Sequence, residues 1–257
     1  MIEKIRANDD VKNFLLRDEA VNLSPLNFLE NIEDAVVLIY NGDVENGVII
    51  GDAGMMDFIL ATRNRDFLRE FWEFAPPGHI VFNGVPRDIA DIFLEDKTPE
   101  WQEPCKSYAL LGEFAPIAAD YPYEALKPQD AAEVDKYYTY RGDWSEKELR
   151  RCIETLDSAC IRIDGELAAW CLIHADGGTL GPLYTKEKYR RRGLAEIVSS
   201  RLIEKVLAAG KTPHLQIAEG NHASFSFLQK FPGFVHTHDC VWFGVISKKT
   251  VENARKP

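Results

Sequence analysis

The sequence has no apolar run approaching the roughly 18 to 20 residues that cross a bilayer, and its first segment, MIEKIRANDDVKNF, is charged throughout without a secretory apolar stretch. The expectation is a soluble, unexported protein with no membrane partner. Cysteines are few. Cys105, Cys152, Cys160, Cys171 and Cys240 are odd in number and never fall in C-x-x-C spacing, which argues against a disulfide framework or a zinc site and suits a reducing cytoplasm. Low-complexity tracts and short repeats are missing as well. Positive charge is scarce: a net charge of -11 disfavours a nucleic-acid partner, because phosphate contacts need a clustered cationic surface. The deficit is uneven, with 10 Lys and Arg against 24 Asp and Glu in residues 1–126, and 20 against 17 in residues 127–257. A polyanionic ligand therefore belongs in the second half.

What is present is an ordinary globular composition, 46% hydrophobic and 28% charged over 257 residues, enough for one large domain or two modest ones. Pro116, Pro122 and Pro128 interrupt the apolar periodicity, and the spacing places a boundary between residues 121 and 122. Before it, AVVLIY and GVIIGDA read as strands joined by the turn NGDVEN, and MMDFILAT as a third strand. RDFLREFWEF then puts Phe67, Leu68, Phe71, Trp72 and Phe74 on one helical stripe, followed by the strand HIVFNGV and the helix PRDIADIFLED. After the boundary the order is helix, helix, three strands, long helix, strand, helix, strand. AAEVDKYYTY and SEKELRRCIETL are the two helices, the second with Ser145 and Glu148 at capping-box spacing; Asp164-Gly165 marks a tight hairpin.

The segment with chemical content is LYTKEKYRRRGLAEIVSSRLIEKVLAAG, residues 183–210. A strand ends at Thr185, a basic loop follows, and from Gly193 the residues Leu194, Ile197, Val198, Leu202 and Val206 recur at helical spacing. The loop thus meets a helix amino terminus, where N–H groups lack partners and the macrodipole favours an anion. Gly193 clears a side chain from that point, Ala195 keeps the next turn small, and Arg190, Arg191 and Arg192 add positive charge. Alone, the string also reads as a solvated basic patch.

In context the sequence resembles the GNAT superfamily of acyl-CoA-dependent N-acyltransferases. The family's signature, a strand followed by Arg/Gln-x-x-Gly-x-Gly/Ala at a helix start, stands here as Arg190-x-x-Gly193-x-Ala195 after Leu183-Tyr184-Thr185. Asn221-x-x-Ser224 followed by FLQKFPGF resembles its downstream N-x-x-S-x-x-L-Y-x-K-x-G-F segment, and the resemblance spans about residues 122 to 246. A complete second half behind a smaller first half, with WCLIHADG before GPLYT, looks most like the glycine N-acyltransferase-like branch.

The resemblance implies an α+β GNAT fold over residues 122–257, a mixed, mostly antiparallel central sheet with flanking helices. Residues 1–121 would form a smaller α/β domain, a candidate degenerate GNAT-like fold. The donor would be acetyl-CoA or a similar short acyl-CoA, the acceptor a small-molecule amine or amino acid, with no metal. The N–H groups of Arg191 to Ala195, Leu194 among them, would take the pyrophosphate, with Arg190 at the head of the loop. Leu183, Tyr184 and Thr185 would pair with the pantetheine arm like an added strand, and Gly181-Pro182 would let the fourth and fifth strands part to admit it. Asn221, with Ser224 in the same motif, would bond the arm, and Lys230 would approach the adenosine phosphates.

Acyl transfer to an amine needs a base, because the acceptor is protonated at neutral pH. Glu219, after the apolar strand LQIA, is the first candidate and His174 the second, with Asp176 and His222 as relay members. Leu228 stands where many family members carry the Tyr that protonates the leaving thiolate, and KFPGF is one residue longer than the usual exit. Tyr184 or a water would then substitute, and a thiol pKa near 8.5 makes the thiolate a tolerable leaving group. His236-x-His238-Asp239 reads as a polar strand face, and Cys171 as core. Two rivals follow: a non-catalytic CoA-binding sensor or interaction module on the same fold, and a transferase that takes aminoacyl-tRNA as donor.

Overall fold

The computed structural model describes residues 1–32, 35–52, 57–118 and 121–247. Two compact units divide the chain. One holds Met1–Ser107, Gln216–His222 and the residues from His236; the other holds Tyr108–Leu215 and Ala223–Val235. The expected cut between residues 121 and 122 is a single break, whereas the chain passes between these units four times, three times within a strand and once at the start of a helix.

The first unit contains β1 (Ile2–Ile5), α1 (Asp9–Leu16), α2 (Leu23–Asn31), β2 (Val36–Tyr40), β3 (Asp43–Asp52), β4 (Asp57–Ala61), α3 (Arg65–Phe74), β5 (Gly78–Pro86), α4 (Arg87–Leu94) and most of β6 (Trp101–Leu110). The second contains α5 (Ala131–Asp135), α6 (Ser145–Thr155), β7 (Ser158–Ile163), β8 (Glu166–Ile173), β9 (Leu180–Thr185) and α7 (Leu194–Ala208). β10 (His214–Ala218), α8 (His222–Leu228) and β11 (Phe234–Ser247) complete the chain.

The strands of the first unit form one sheet in the order β1-β2-β3-β4-β5-β11-β6-β10. Its pairs are antiparallel except β4 with β5 among those whose register is resolved. Side chains alternate across it as a half-buried pleat requires. Val37, Ile39, Val48 and Ile50 meet Val11, Leu15 and Phe28 of α1 and α2, while Leu38, Ile49 and Phe82 meet Phe67, Phe71 and Phe93 of α3 and α4. The turn between β2 and β3 is shorter than NGDVEN: Asn41 and Gly42 take the two positive φ values of a tight hairpin, 54° and 71°, and the rest joins β3. Met55 and Met56 of the expected third strand lie outside the described residues.

In the second unit β7, β8 and β9 form an antiparallel sheet, with α7 on one face and α5 and α6 on the other. Ala169, Cys171 and Ile173 meet Ile197, Val198 and Leu202, while Trp170 and Leu172 meet Val134, Leu149 and Ile153. Asp164 and Gly165 adopt φ 51° and 79°, the hairpin geometry their sequence predicts. Two expectations fail. α5 stops at Asp135, so KYYTY is not helical, and Ser145 does not cap α6. Its hydroxyl donates to Asp135, lies 2.8 Å from the Gly142 carbonyl and accepts the Gly142 N–H instead, and that buried carboxylate outcompetes a capping role. The mixed α+β class, with a mostly antiparallel sheet flanked by helices, is the one expected.

Candidate functional site

The loop between β9 and α7 is shaped by two left-handed residues, Arg191 at φ 63° and Gly193 at φ 75°. Arg190 before them is extended, at φ -62° and ψ 162°. Left-handed residues in a turn bring neighbouring N–H groups to one side, the kind of concavity that binds anions. Among the described residues, none of the backbone N–H groups from Arg191 to Glu196 has an acceptor in the protein. A Cβ built on Gly193 would point into open space, so the glycine leaves the mouth of the cradle clear. Arg190, Arg191 and Arg192 are exposed, and among the described residues none forms an ion pair. The donor set therefore fits a diphosphate.

The loop is anchored from below. Tyr189 is buried against α7, and its hydroxyl donates to Glu166 at 3.0 Å. Lys186, nearly buried, lies 2.6 Å from Glu133 and 3.1 Å from Glu166. Hydrogen bonds from Lys188, Lys186 and Tyr189 pull the Glu166 carboxyl down to about 2. These contacts spend the two lysines on structure and leave the arginines to the cradle.

β9 pairs with β8 along one edge only. Lys186 N–H donates to the Ala168 carbonyl at 3.0 Å, and Ala169 stands opposite Thr185, Trp170 opposite Tyr184 and Cys171 opposite Leu183. In an antiparallel pair bonded and non-bonded positions alternate, so Tyr184 bonds to β8 while Leu183 and Thr185 turn their N–H and C=O groups to the other edge. Among the described residues that edge pairs with no strand. β9 and β10 belong to different sheets, and a single parallel bridge, Thr179 to His214, joins them among the described residues. The Gly181-Pro182 bond at the start of β9 is cis. Thr185 Oγ1 is buried without a partner, and Arg190 Nε donates to the Thr185 carbonyl at 3.2 Å.

The bridge is held by a cluster absent from the sequence reading except for Asp176. Asp176 accepts the N–H groups of Gly178 and Thr179 at 3.2 and 3.0 Å and the Thr179 hydroxyl at 2.6 Å; His214 Nε2 lies 3.1 Å from that hydroxyl. Burial alone would raise the Asp176 carboxyl, but the bonds from His214 and Thr179 outweigh it and hold the group well below the usual carboxylate range. No spacing in the sequence announces this contact, because Thr179 and His214 are 35 residues apart.

The remaining expected residues divide between the units. His174, in the second, follows β8, and a Cβ on Gly181 would lie 3.3 Å from its Nε2. Burial lowers its pKa and keeps the ring neutral, against the raising influence of Asp176 and Glu148. Tyr184 stacks on Tyr137 with ring centres 4.7 Å apart, and Arg190 Nη2 approaches its hydroxyl at 3.5 Å. Lys230 forms an ion pair with Glu196 in the first turn of α7, and Ser224 lies in α8. Leu228 is buried. Glu219 and Asn221 belong to the first unit: Glu219 is exposed and pairs with Arg87 at 3.1 Å, and Asn221 N–H donates to the Ala218 carbonyl at 2.8 Å. His236 and Asp239 pair at 3.0 Å on β11, with Lys106 3.2 Å from the same carboxylate. Among the described residues no cluster of three His, Cys, Asp or Glu side chains is arranged to hold a metal. All five cysteines are free and buried. No helix among the described residues is long and apolar enough to cross a membrane.

Residues 160–243 match the FR47-like protein family. A Drosophila protein solved by X-ray crystallography superposes with a TM-score of 0.74 at 16% identity, covering 96% of this chain and 99% of the other. A tandem GNAT protein from the clavulanic acid biosynthesis pathway gives 0.57 at 13% identity, covering 97% and 99%. The fold is that of the GNAT proteins. An acetyltransferase of the GNAT family from Colwellia psychrerythraea adds a TM-score of 0.53 at 13% identity over 95% and 99%. At such identities the likeness is one of GNAT fold alone. No curated protein matches the sequence significantly.

Proposed function

We propose that the protein is an acyl-CoA-dependent N-acyltransferase, moving the acyl group of acetyl-CoA or a similar short acyl-CoA to the amine of a small molecule or amino acid by direct attack. The observation that carries this reading is the run of unsatisfied N–H groups from Arg191 to Glu196, opened by Gly193 and continuous with the free edge of β9. The N–H groups hold the diphosphate, Arg190, Arg191 and Arg192 supply counter-charge, and Leu194 and Ala195 form the first turn beneath it. Leu183 offers the arm an outward N–H and C=O pair and Thr185 an outward N–H, the Thr185 carbonyl already accepting from Arg190 Nε. Asn221 and Ser224 complete the donor's contacts in this reading.

The donor supplies an activated thioester. The acceptor nitrogen attacks its carbonyl carbon, the C–S bond breaks, and the proton lost by the amine passes to a base. Glu219 and His174 are the two bases proposed; His174 is neutral at physiological pH because it is buried. The Tyr184 hydroxyl, approached by Arg190 Nη2, keeps its own hydrogen available for the departing thiolate. The two-unit arrangement favours the glycine N-acyltransferase-like branch, and five free thiols favour the cytoplasm.

A second reading, a CoA-binding module without catalysis, is favoured by one observation: buried Leu228 has no proton to give where a Tyr would. Calorimetry with CoA and release of free thiol from acetyl-CoA across a panel of amines test both. Binding with turnover supports the transferase, binding without turnover the module, and no binding removes both.

A further inference from the structure

We infer that Lys230 serves the donor site by neutralising Glu196, not by gripping the donor's phosphates itself. The inference rests on the acyl-CoA reading and concerns the same cradle. Glu196 is the one acidic residue in the first turn of α7, three residues beyond Gly193. There a carboxylate suits the bare end of a helix. Beside an incoming diphosphate the same carboxylate is a like charge, and it weakens the site that the free N–H groups create.

Lys230 answers it. Its backbone N–H donates to the Phe227 carbonyl at 3.0 Å in the turn after α8, and the next residue, Phe231, is buried with Leu110 and Ile203. Phe227 and Phe231 pack ring against ring at 5.6 Å. The lysine is therefore delivered to α7 by a fixed stretch of chain, and Glu196 is its ion-pair partner. The ammonium is half exposed and the carboxylate 28% exposed, so the pair sits at the rim of the cradle and is not sunk in the core. With Glu196 cancelled, the loop presents only its N–H groups and three arginines to the ligand. Lys230 is thus a positioning residue acting through Glu196, and the sequence reading that sends it to the adenosine phosphates is replaced.

A double-mutant cycle separates the two roles. CoA is titrated calorimetrically into the full chain, Lys230→Ala, Glu196→Gln and the double variant, at low and at high salt, with thermal melts confirming that each is folded. Lys230→Ala is expected to bind about tenfold more weakly at low salt, and Glu196→Gln about threefold more tightly. The double variant should return to within about threefold of the wild type, and every difference should shrink at high salt. A double variant as weak as Lys230→Ala would show that Lys230 holds phosphate directly and would overturn the inference. A wild type that takes up no CoA would instead remove the parent reading, an outcome visible before any variant is made.

Discussion

Asn64 and Gly193 both stand at the point where a strand turns into a helix, and they treat the helix's free N–H groups in opposite ways. Asn64 Oδ1 accepts the N–H groups of Asp66 and Phe67 at 3.1 Å each, so α3 is closed by the protein's own side chain. Gly193 brings no side chain to α7, and the N–H groups beyond it stay unbonded. The strands that precede the two helices differ in step. β4 remains paired with β5 at Asp57–Val81 and Phe58–Phe82, whereas β9, among the described residues, pairs with β8 alone.

The chain should therefore bind one acyl-CoA, in the second unit. Calorimetry is expected to give a stoichiometry near one per chain, unchanged in Asn64→Ala. That variant should lose about 1 kcal/mol of stability to chemical denaturation, the usual worth of an amino-terminal cap. A stoichiometry near two would assign the first unit a site of its own.

Gly193→Asp should abolish CoA binding, since it places a side chain and a like charge at the mouth of the cradle. Gly193→Ala separates the contributions: its Cβ meets open space, but φ 75° costs an L-residue about 1 kcal/mol, so stability falls by roughly that amount. CoA affinity in Gly193→Ala should be reduced but measurable. Unchanged affinity in Gly193→Asp contradicts the assignment.

Burial holds the His174 pKa below its ordinary value near 6.5, so the ring is neutral, and competent as a base, from neutral pH down into the acidic range. As the proton acceptor it would give kcat/KM an acid limb with its midpoint below the ordinary histidine range, absent in His174→Gln. Glu219→Gln should lower turnover with little effect on acetyl-CoA affinity. Full activity at neutral pH in either variant removes that residue from the proton's path.

His238 makes a separate prediction about stability. Burial, with a smaller contribution from His236, lowers its pKa to about 4, against the raising influence of Asp18, Asp239 and Asp88. Its Nε2 is buried without a partner. Between about pH 6.5 and 4 the unfolded chain binds this proton and the folded one does not, so stability present above the unfolded pKa is lost as pH falls. His238→Leu should flatten that part of the curve in chemical denaturation; an unaltered slope would show that the ring titrates normally.

Much of this was readable in the sequence because it is local. The stripe Phe67, Leu68, Phe71 fixes α3, Asp164-Gly165 fixes the β7–β8 hairpin, and the RRRGLA turn lies where a strand end meets a 15-residue helix. What could not be read depends on pairs far apart. The hydroxyl of Ser145 goes to Asp135 rather than to its own helix, and β11 inserts between β5 and β6, a neighbour relation that no window of sequence contains. The Lys230–Glu196 and Thr179–His214 contacts escape for the same reason. Register was beyond reach too: only the bonding of Lys186 to Ala168 decides that Leu183 and Thr185, and not Tyr184, face the free edge.

The central claim is that main-chain N–H groups after Arg190 hold a diphosphate and align the donor on β9. A crystal structure with bound acetyl-CoA tests it most directly. The account predicts diphosphate oxygens about 3 Å from the backbone nitrogens between Arg191 and Ala195, and the arm bonded to Leu183 and Thr185. A coenzyme bound elsewhere, with that turn bare or closed by the protein's own side chains, would contradict it.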